Sequence, residues 1–227
     1  MKIRISFLFV HALLQCTLNE EGIVGDKMKK RFWLSIFIII LLIIILLVFK
    51  SCHQIGNTGI NDALNWSLED FTFTDQNGNE FGKDDLKGKI WVADFIFTNC
   101  TSICPPMTHN MTKIQKMAEE EGIENVEFVS FSVDPTIDSP EVLNDYGSKF
   151  ELDFSNFHFL TGYDQSFIES FALENFKTIV KKPENEDQVI HQSYFYLVNQ
   201  EGTIMQYYSG ANDVPFEDII NDMKAIQ

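Results

Sequence analysis

The chain has 227 residues and a formal net charge of −16, unevenly spread. Residues 1–50 carry seven Lys/Arg against three Asp/Glu, a balance of +4, whereas residues 51–227 carry ten against thirty, a balance of −20. So acidic a domain lacks the basic surface that nucleic-acid binding requires, and its 21 phenylalanines offer enough apolar area for one full core.

In chain order, residues 1–27 show no periodicity of note beyond Ile5–Leu14. Met28-Lys29-Lys30-Arg31-Phe32 reads as the ordinary start of a bacterial export or anchor signal, so translation is expected to begin at Met28, with residues 1–27 a misassigned extension. Residues 32–49 are apolar except for Ser35. That is long enough to cross a hydrocarbon core, which takes roughly 17–25 residues. It is longer than the roughly 7–15 apolar residues of a cleaved signal. The basic cluster before it places residues 1–31 in the cytoplasm and the rest outside, by the positive-inside rule. The expectation is a single-pass transmembrane helix with an extracytoplasmic domain. Cys52 follows this run, but Phe49-Lys50-Ser51 poorly match the small residues that precede a lipid-modified cysteine. Residues 50–65 read as a polar linker, and residues 66–227 as the folded domain.

Within that domain Trp66–Thr74 alternates as a strand, and Asp75–Asn79 turns it into a hairpin with Glu80-Phe81. Ile90–Phe97 is a buried strand, and an amphipathic helix runs from about Pro106 to Glu121. Asn125–Val133 is a second strand, followed by the loop Asp134–Pro140. Ser139 and Pro140 read as N-cap and first residue of a helix to about Phe150. Phe157–Leu160 is a short strand, Asp164 caps a helix to about Phe176, and Lys181–Gln188 is a charged loop. Ser193–Asn199 and Thr203–Tyr208 are strands, and a last helix starts near Pro215. A parallel βαβ half followed by an antiparallel ββα half is the order of an α/β, thioredoxin-like fold with an N-terminal β-hairpin extension.

The chemistry concentrates in Phe97-Thr98-Asn99-Cys100-Thr101-Ser102-Ile103-Cys104-Pro105-Pro106-Met107, where the buried strand turns into the helix. The positive end of a helix dipole favours thiolate over thiol. If Cys104 starts the helix, the spacing can bring both sulfurs to one face. There they can form a disulfide, as a redox-active pair, or grip one metal ion. Cys16 and Cys52 have no informative spacing, so this is no disulfide framework.

A third group is His191, immediately before the strand Ser193–Asn199. In a thioredoxin-like sheet that position faces the cysteine turn, and thioredoxins carry a proline there. Here Pro183 lies too far back and an imidazole is offered instead. Two soft thiolates with one imidazole suit Cu(I), and also Zn or Cu(II). His11, His53, His109 and His158 have no such placement.

The cysteine motif, the run Phe131-Ser132-Val133-Asp134-Pro135 with Asp138 and Pro140, and His191 together resemble the Sco family, in particular its Bacillus-type members, over about residues 60–227. The resemblance implies a membrane-tethered copper chaperone for the dinuclear copper centre of cytochrome c oxidase subunit II. It implies that Cys100, Cys104 and His191 bind copper, as Cu(I) or Cu(II). It places Asp134 and its loop near the site without making Asp134 a ligand. The alternative is a thiol–disulfide reductase that reduces the acceptor cysteines, itself served by a thioredoxin-like reductant. A weaker third reading is a peroxidase-like enzyme on the same fold class.

Overall fold

The computed structural model describes Trp33, residues 35–43, Ile60, and residues 63–184 and 186–227. The chain divides into two units, Met1–Asn57 and Thr58–Gln227. In the first unit residues 35–43 are helical, and the side chains of Phe37 to Ile43 are exposed. Among the described residues no helix is long and apolar enough to cross a membrane. The ends of the expected span 32–49 lie outside the described residues, as do Met28, Cys16, Cys52, His11, His53 and most of the expected linker.

The second unit is built on an eight-stranded mixed sheet in the order β1-β10-β9-β4-β5-β6-β2-β3. Its centre is parallel: β4 (Ile90–Ile96) pairs with β5 (Val126–Ser132), and β5 with β6 (Phe157–Thr161). On one side β9 (Tyr194–Val198) runs antiparallel to β4, and β10 (Thr203–Ser209) antiparallel to β9. On the other, the hairpin of β2 (Thr72–Asp75) and β3 (Glu80–Gly82) adds to β6. Asp75 closes that hairpin, its Oδ1 accepting from the backbone N–H groups of Asn77 and Asn79 at 2.9 and 2.8 Å.

The expected strand Trp66–Thr74 is two strands on opposite sides of the sheet, β1 at one edge and β2 next to the other. β1 (Trp66–Ser67) pairs with β10, whereas β2 pairs with β6. Burial explains the split. Leu68 and Phe71 are buried in the crossing segment, and the Phe71 ring packs on Trp91, Phe131 and Phe171. A straight strand would leave one face of this segment in water; a crossing buries it over the sheet.

Every residue of β4 and β5 is buried, as expected of strands covered on both faces. Side chains alternate between faces. One face carries Phe95 and Phe131, whose rings stack at 5.5 Å and meet Phe176 of α3 (Gln165–Phe176). The other carries Asp94, Ser130 and Ser132. Helix α1 (Cys104–Glu120) closes that face, with Met107, Met111 and Ile114 fully buried. Thr108 of α1 lies 2.8 Å from the hydroxyl of Tyr146 in α2 (Pro140–Gly147). A last helix, α4 (Phe216–Ala225), buries Ile219, Ile220 and Met223. Each fully buried apolar side chain contributes about 1.5–3 kcal/mol.

Helix ends depart from expectation in physically clear ways. α1 begins at Cys104 rather than Pro106, because Pro105 and Pro106 are tolerated in a first turn whose N–H groups need no intrahelical partner. Ser139 caps α2 as expected, its hydroxyl accepting from Val142 N–H at 3.4 Å. The helix stops at Gly147 rather than near Phe150. Asp164 precedes α3 but makes no side-chain cap bond. The expected loop Lys181–Gln188 is flanked by a separate two-stranded ribbon, β7 (Val180–Lys181) with β8 (Ile190–His191), in which Val180 pairs with His191. Two-residue strands are too short to show alternation, so the sequence carries no sign of them.

Candidate metal centre

The buried strand β4 delivers the chain to Phe97 and Thr98, where it leaves the sheet. Cys100 N–H donates to the Phe97 carbonyl at 3.2 Å, tightening the turn. The next bend brings Cys104 into the first turn of α1, and its backbone N–H donates to the Cys100 sulfur at 3.3 Å. Ser102 Oγ lies 3.9 Å from the same sulfur. Both thiols are buried and free. A hydrogen bond from the Cys104 thiol lowers the Cys100 pKa, and His191 and the backbone N–H groups of Cys104 and Ser102 add to this against the cost of burial. Cys104 moves the other way: sharing its proton with Cys100, and then burial, raise it. Cys100 therefore favours the thiolate and Cys104 the thiol.

His191 arrives from the far end of the sequence on β8. Its Nε2 lies 3.5 Å from Cys104 Sγ, and its Nδ1 lies 3.0 Å from the Gln192 carbonyl. A carbonyl only accepts, so Nδ1 donates to it and Nε2 is the ring nitrogen that faces Cys104. Phe97 holds the imidazole edge-on, with ring centroids 5.8 Å apart. This is a ring fixed by an outer hydrogen bond with its donor atom aimed at a thiol, the arrangement that metal-ligating histidines use.

A family model described as SCO1/SenC matches residues 44–226. The chain belongs to the SCO1/SenC family. A crystal structure described as a SCO1/SenC family lipoprotein from Bacillus anthracis is 55% identical, spans 74% of this chain and 98% of its own, and superposes with a TM-score of 0.72. The structure of BsSco is 52% identical over 74% of this chain and 96% of its own, with a TM-score of 0.68. It is described by a disulfide switch and as a member of the Sco family of cytochrome c oxidase assembly proteins. Yeast Sco1, solved with copper bound, is 27% identical over 70% of this chain and 89% of its own, with a TM-score of 0.58. The α/β fold is that of these Sco structures.

Of the three residues singled out from the sequence, the Sco fold brings Cys104 into contact with both others. They stand as two successive contacts, Cys100–Cys104 and Cys104–His191. Among the described residues no three His, Cys, Asp or Glu side chains converge into a ready-made metal cluster. The remaining described histidines lie elsewhere. His158 sits 2.9 Å from Glu127 and stacks on Phe81 at 3.9 Å, a structural role. His109 is exposed on α1.

The sequence reading gave no role to Asp94 or Asp138, although the resemblance placed the loop that holds Asp138 near the site. Asp94 is fully buried in β4, accepts from Ser130 Oγ at 2.6 Å, and has no partner for Oδ2. Burial pushes its pKa up to about 7, against the Ser130 hydrogen bond and the attraction of His191. Asp138 is equally buried. It accepts from Thr98 Oγ1 at 2.5 Å, from Ser132 Oγ at 2.6 Å, and from Thr98 N–H at 3.3 Å. A charged residue inside an apolar strand was the available signal for Asp94. Asp138 had none beyond its place in the Asp-Pro run.

Proposed function

We propose that this chain is a membrane-attached copper carrier that binds copper through Cys100, Cys104 and His191. It passes the metal to the dinuclear copper centre of cytochrome c oxidase subunit II. The observation that supports this most is the Nε2 of His191 at 3.5 Å from Cys104 Sγ, beside a Cys100 sulfur that favours the thiolate. Two soft sulfurs and one imidazole fit copper by donor type. Copper replaces the Cys104 proton, so loading releases a proton and weakens in acid. Membrane attachment is supported by the apolar run 32–49 and by the Bacillus anthracis relative being described as a lipoprotein. Copper is supported by the copper-bound yeast Sco1, and oxidase assembly by the description of BsSco.

A second reading, thiol–disulfide reduction of the acceptor cysteines, is favoured by the lowered Cys100 pKa, which supplies an attacking thiolate. The two readings are compatible, because a Cys100–Cys104 disulfide has no thiolates for copper. His191→Ala separates them. Imidazole takes no part in a disulfide, so the variant keeps reduction of a disulfide reporter. Outer-sphere changes already cost roughly 10–100-fold in metal affinity, so losing the ligand costs at least that. The measurements are chelator competition for copper, reporter reduction, and oxidase assembly in cells. Normal assembly by a His191→Ala chain that no longer retains copper would make dithiol chemistry the function.

A further inference from the structure

The loop after β5 does more than connect β5 to α2. It touches both segments that carry the proposed ligands. At its far end Asp138 receives the Thr98 hydroxyl and N–H at 2.5 and 3.3 Å, two residues before Cys100. At its near end Asp134, itself buried, forms an ion pair with Lys182 Nζ at 2.6 Å, directly after β7 in the ribbon that carries His191. Thr136 Oγ1 donates to the same Asp134 oxygen at 2.9 Å. The loop is internally braced: Ile137 and Asp138 N–H both donate to the Asp134 carbonyl, at 3.0 and 2.9 Å, and Asp134 N–H donates to Ser132 Oγ at 3.1 Å. Residues 134–138 thus form a rigid span with a carboxylate at each end. One holds the cysteine turn and the other holds the histidine ribbon.

The ribbon needs such a hold. β7 and β8 pair only with each other, outside the main sheet. Besides Asp134, Glu169 of α3 steadies β7, through Lys181 Nζ at 2.9 Å and Lys182 N–H at 3.0 Å. The Lys182 side chain reaches the loop that also grips Thr98, so it ties His191 to the cysteines rather than to a distant helix.

We infer that the Asp134–Asp138 loop is the positioning bridge of the metal centre, with Lys182 and Thr98 as its two grips, setting the separation of the His191 imidazole from the Cys100–Cys104 pair. This rests on the copper-binding reading above. Asp134, Asp138, Lys182 and Thr98 each act through a ligand-bearing segment rather than on the metal or a thiol.

The test uses Lys182→Met, which keeps the stem and removes the charge, and Lys182→Arg, which keeps the charge, in the full chain. In copper-free protein, amide hydrogen exchange of Val180 and His191 should quicken in Lys182→Met and stay near wild type in Lys182→Arg. Copper affinity by chelator competition should fall roughly 10–100-fold in Lys182→Met and recover in Lys182→Arg. The Cys100–Cys104 pair should still close to a disulfide in mild oxidant, since Lys182 contacts neither sulfur. Wild-type exchange in Lys182→Met overturns the inference, and so does loosened exchange with undiminished copper affinity. Loss of the disulfide in Lys182→Met also overturns it, because the effect would then be a general loosening. A chain whose copper binding ignores His191→Ala refutes the copper reading instead, a result separate from the exchange data.

Discussion

Asp94 is the most consequential buried group that no ligand role explains, and its replacement by asparagine has a pH signature that the structure fixes. The carboxyl is fully buried, and its folded pKa is raised to about 7. An unfolded aspartate titrates near 3.9, so the gap corresponds to roughly 4 kcal/mol. The folded state holds this proton to higher pH than the unfolded state does. The stability it contributes is therefore complete below about pH 4 and is lost as pH rises through about 7. The side chain introduced by Asp94→Asn would not titrate. Its carbonyl can still accept from Ser130 Oγ, which donates at 2.6 Å in the wild type. Its amide would occupy the place of Oδ2, which has no partner in either case. A buried unmet donor costs about 1–3 kcal/mol, much as the protonated acid does there. Asp94→Asn should therefore match wild type within about 1 kcal/mol at pH 4 and exceed it by roughly 2–4 kcal/mol at pH 8. Denaturant unfolding of copper-free, reduced protein at several pH values gives both curves. The contribution of Glu127, which is not coupled to Asp94, cancels in the difference. A difference that stays flat from pH 4 to pH 8 would refute the assignment of a protonated buried acid.

Two further outcomes are expected. In mild oxidant Cys100 and Cys104 should join in an intramolecular disulfide with loss of bound copper; mass spectrometry finding two free thiols in folded, oxidised protein would count against their shared geometry. The full chain should sediment with membranes, and protease added outside intact cells should reach residues 66–227; protection until lysis would reverse the proposed orientation.

The parts of the site that were legible in the sequence are those whose signals are local. Ile90–Phe97 is a continuous apolar run, so it reads as a buried strand. The thiols follow it within a few residues, so their place at the strand–helix turn follows from chain order alone. His191 was legible by residue type and by its position before β9, although the strand that carries it was not. β8 is two residues long and exists because Val180 pairs with His191. The division of Trp66–Thr74 was equally hidden, because alternation is the same whether a segment stays on one edge or crosses to the other.

What stayed hidden was the support, and for one reason. Thr98 and Asp138 lie 40 positions apart, and Asp134 and Lys182 lie 48 apart. Each pair meets only after β5 has docked beside β4 and the ribbon has folded over α3. No local pattern marks a residue for such a contact. Asp138 and Lys182 look in sequence like an ordinary loop acid and an ordinary charged-loop base. Yet an aspartate buried to the last oxygen is costly unless every nearby donor serves it, and Thr98 and Ser132 supply those donors to Asp138. The polar atoms beneath the cysteine turn are therefore over-determined by several independent contacts, whereas His191 is held by one carbonyl, one ring edge and one ribbon.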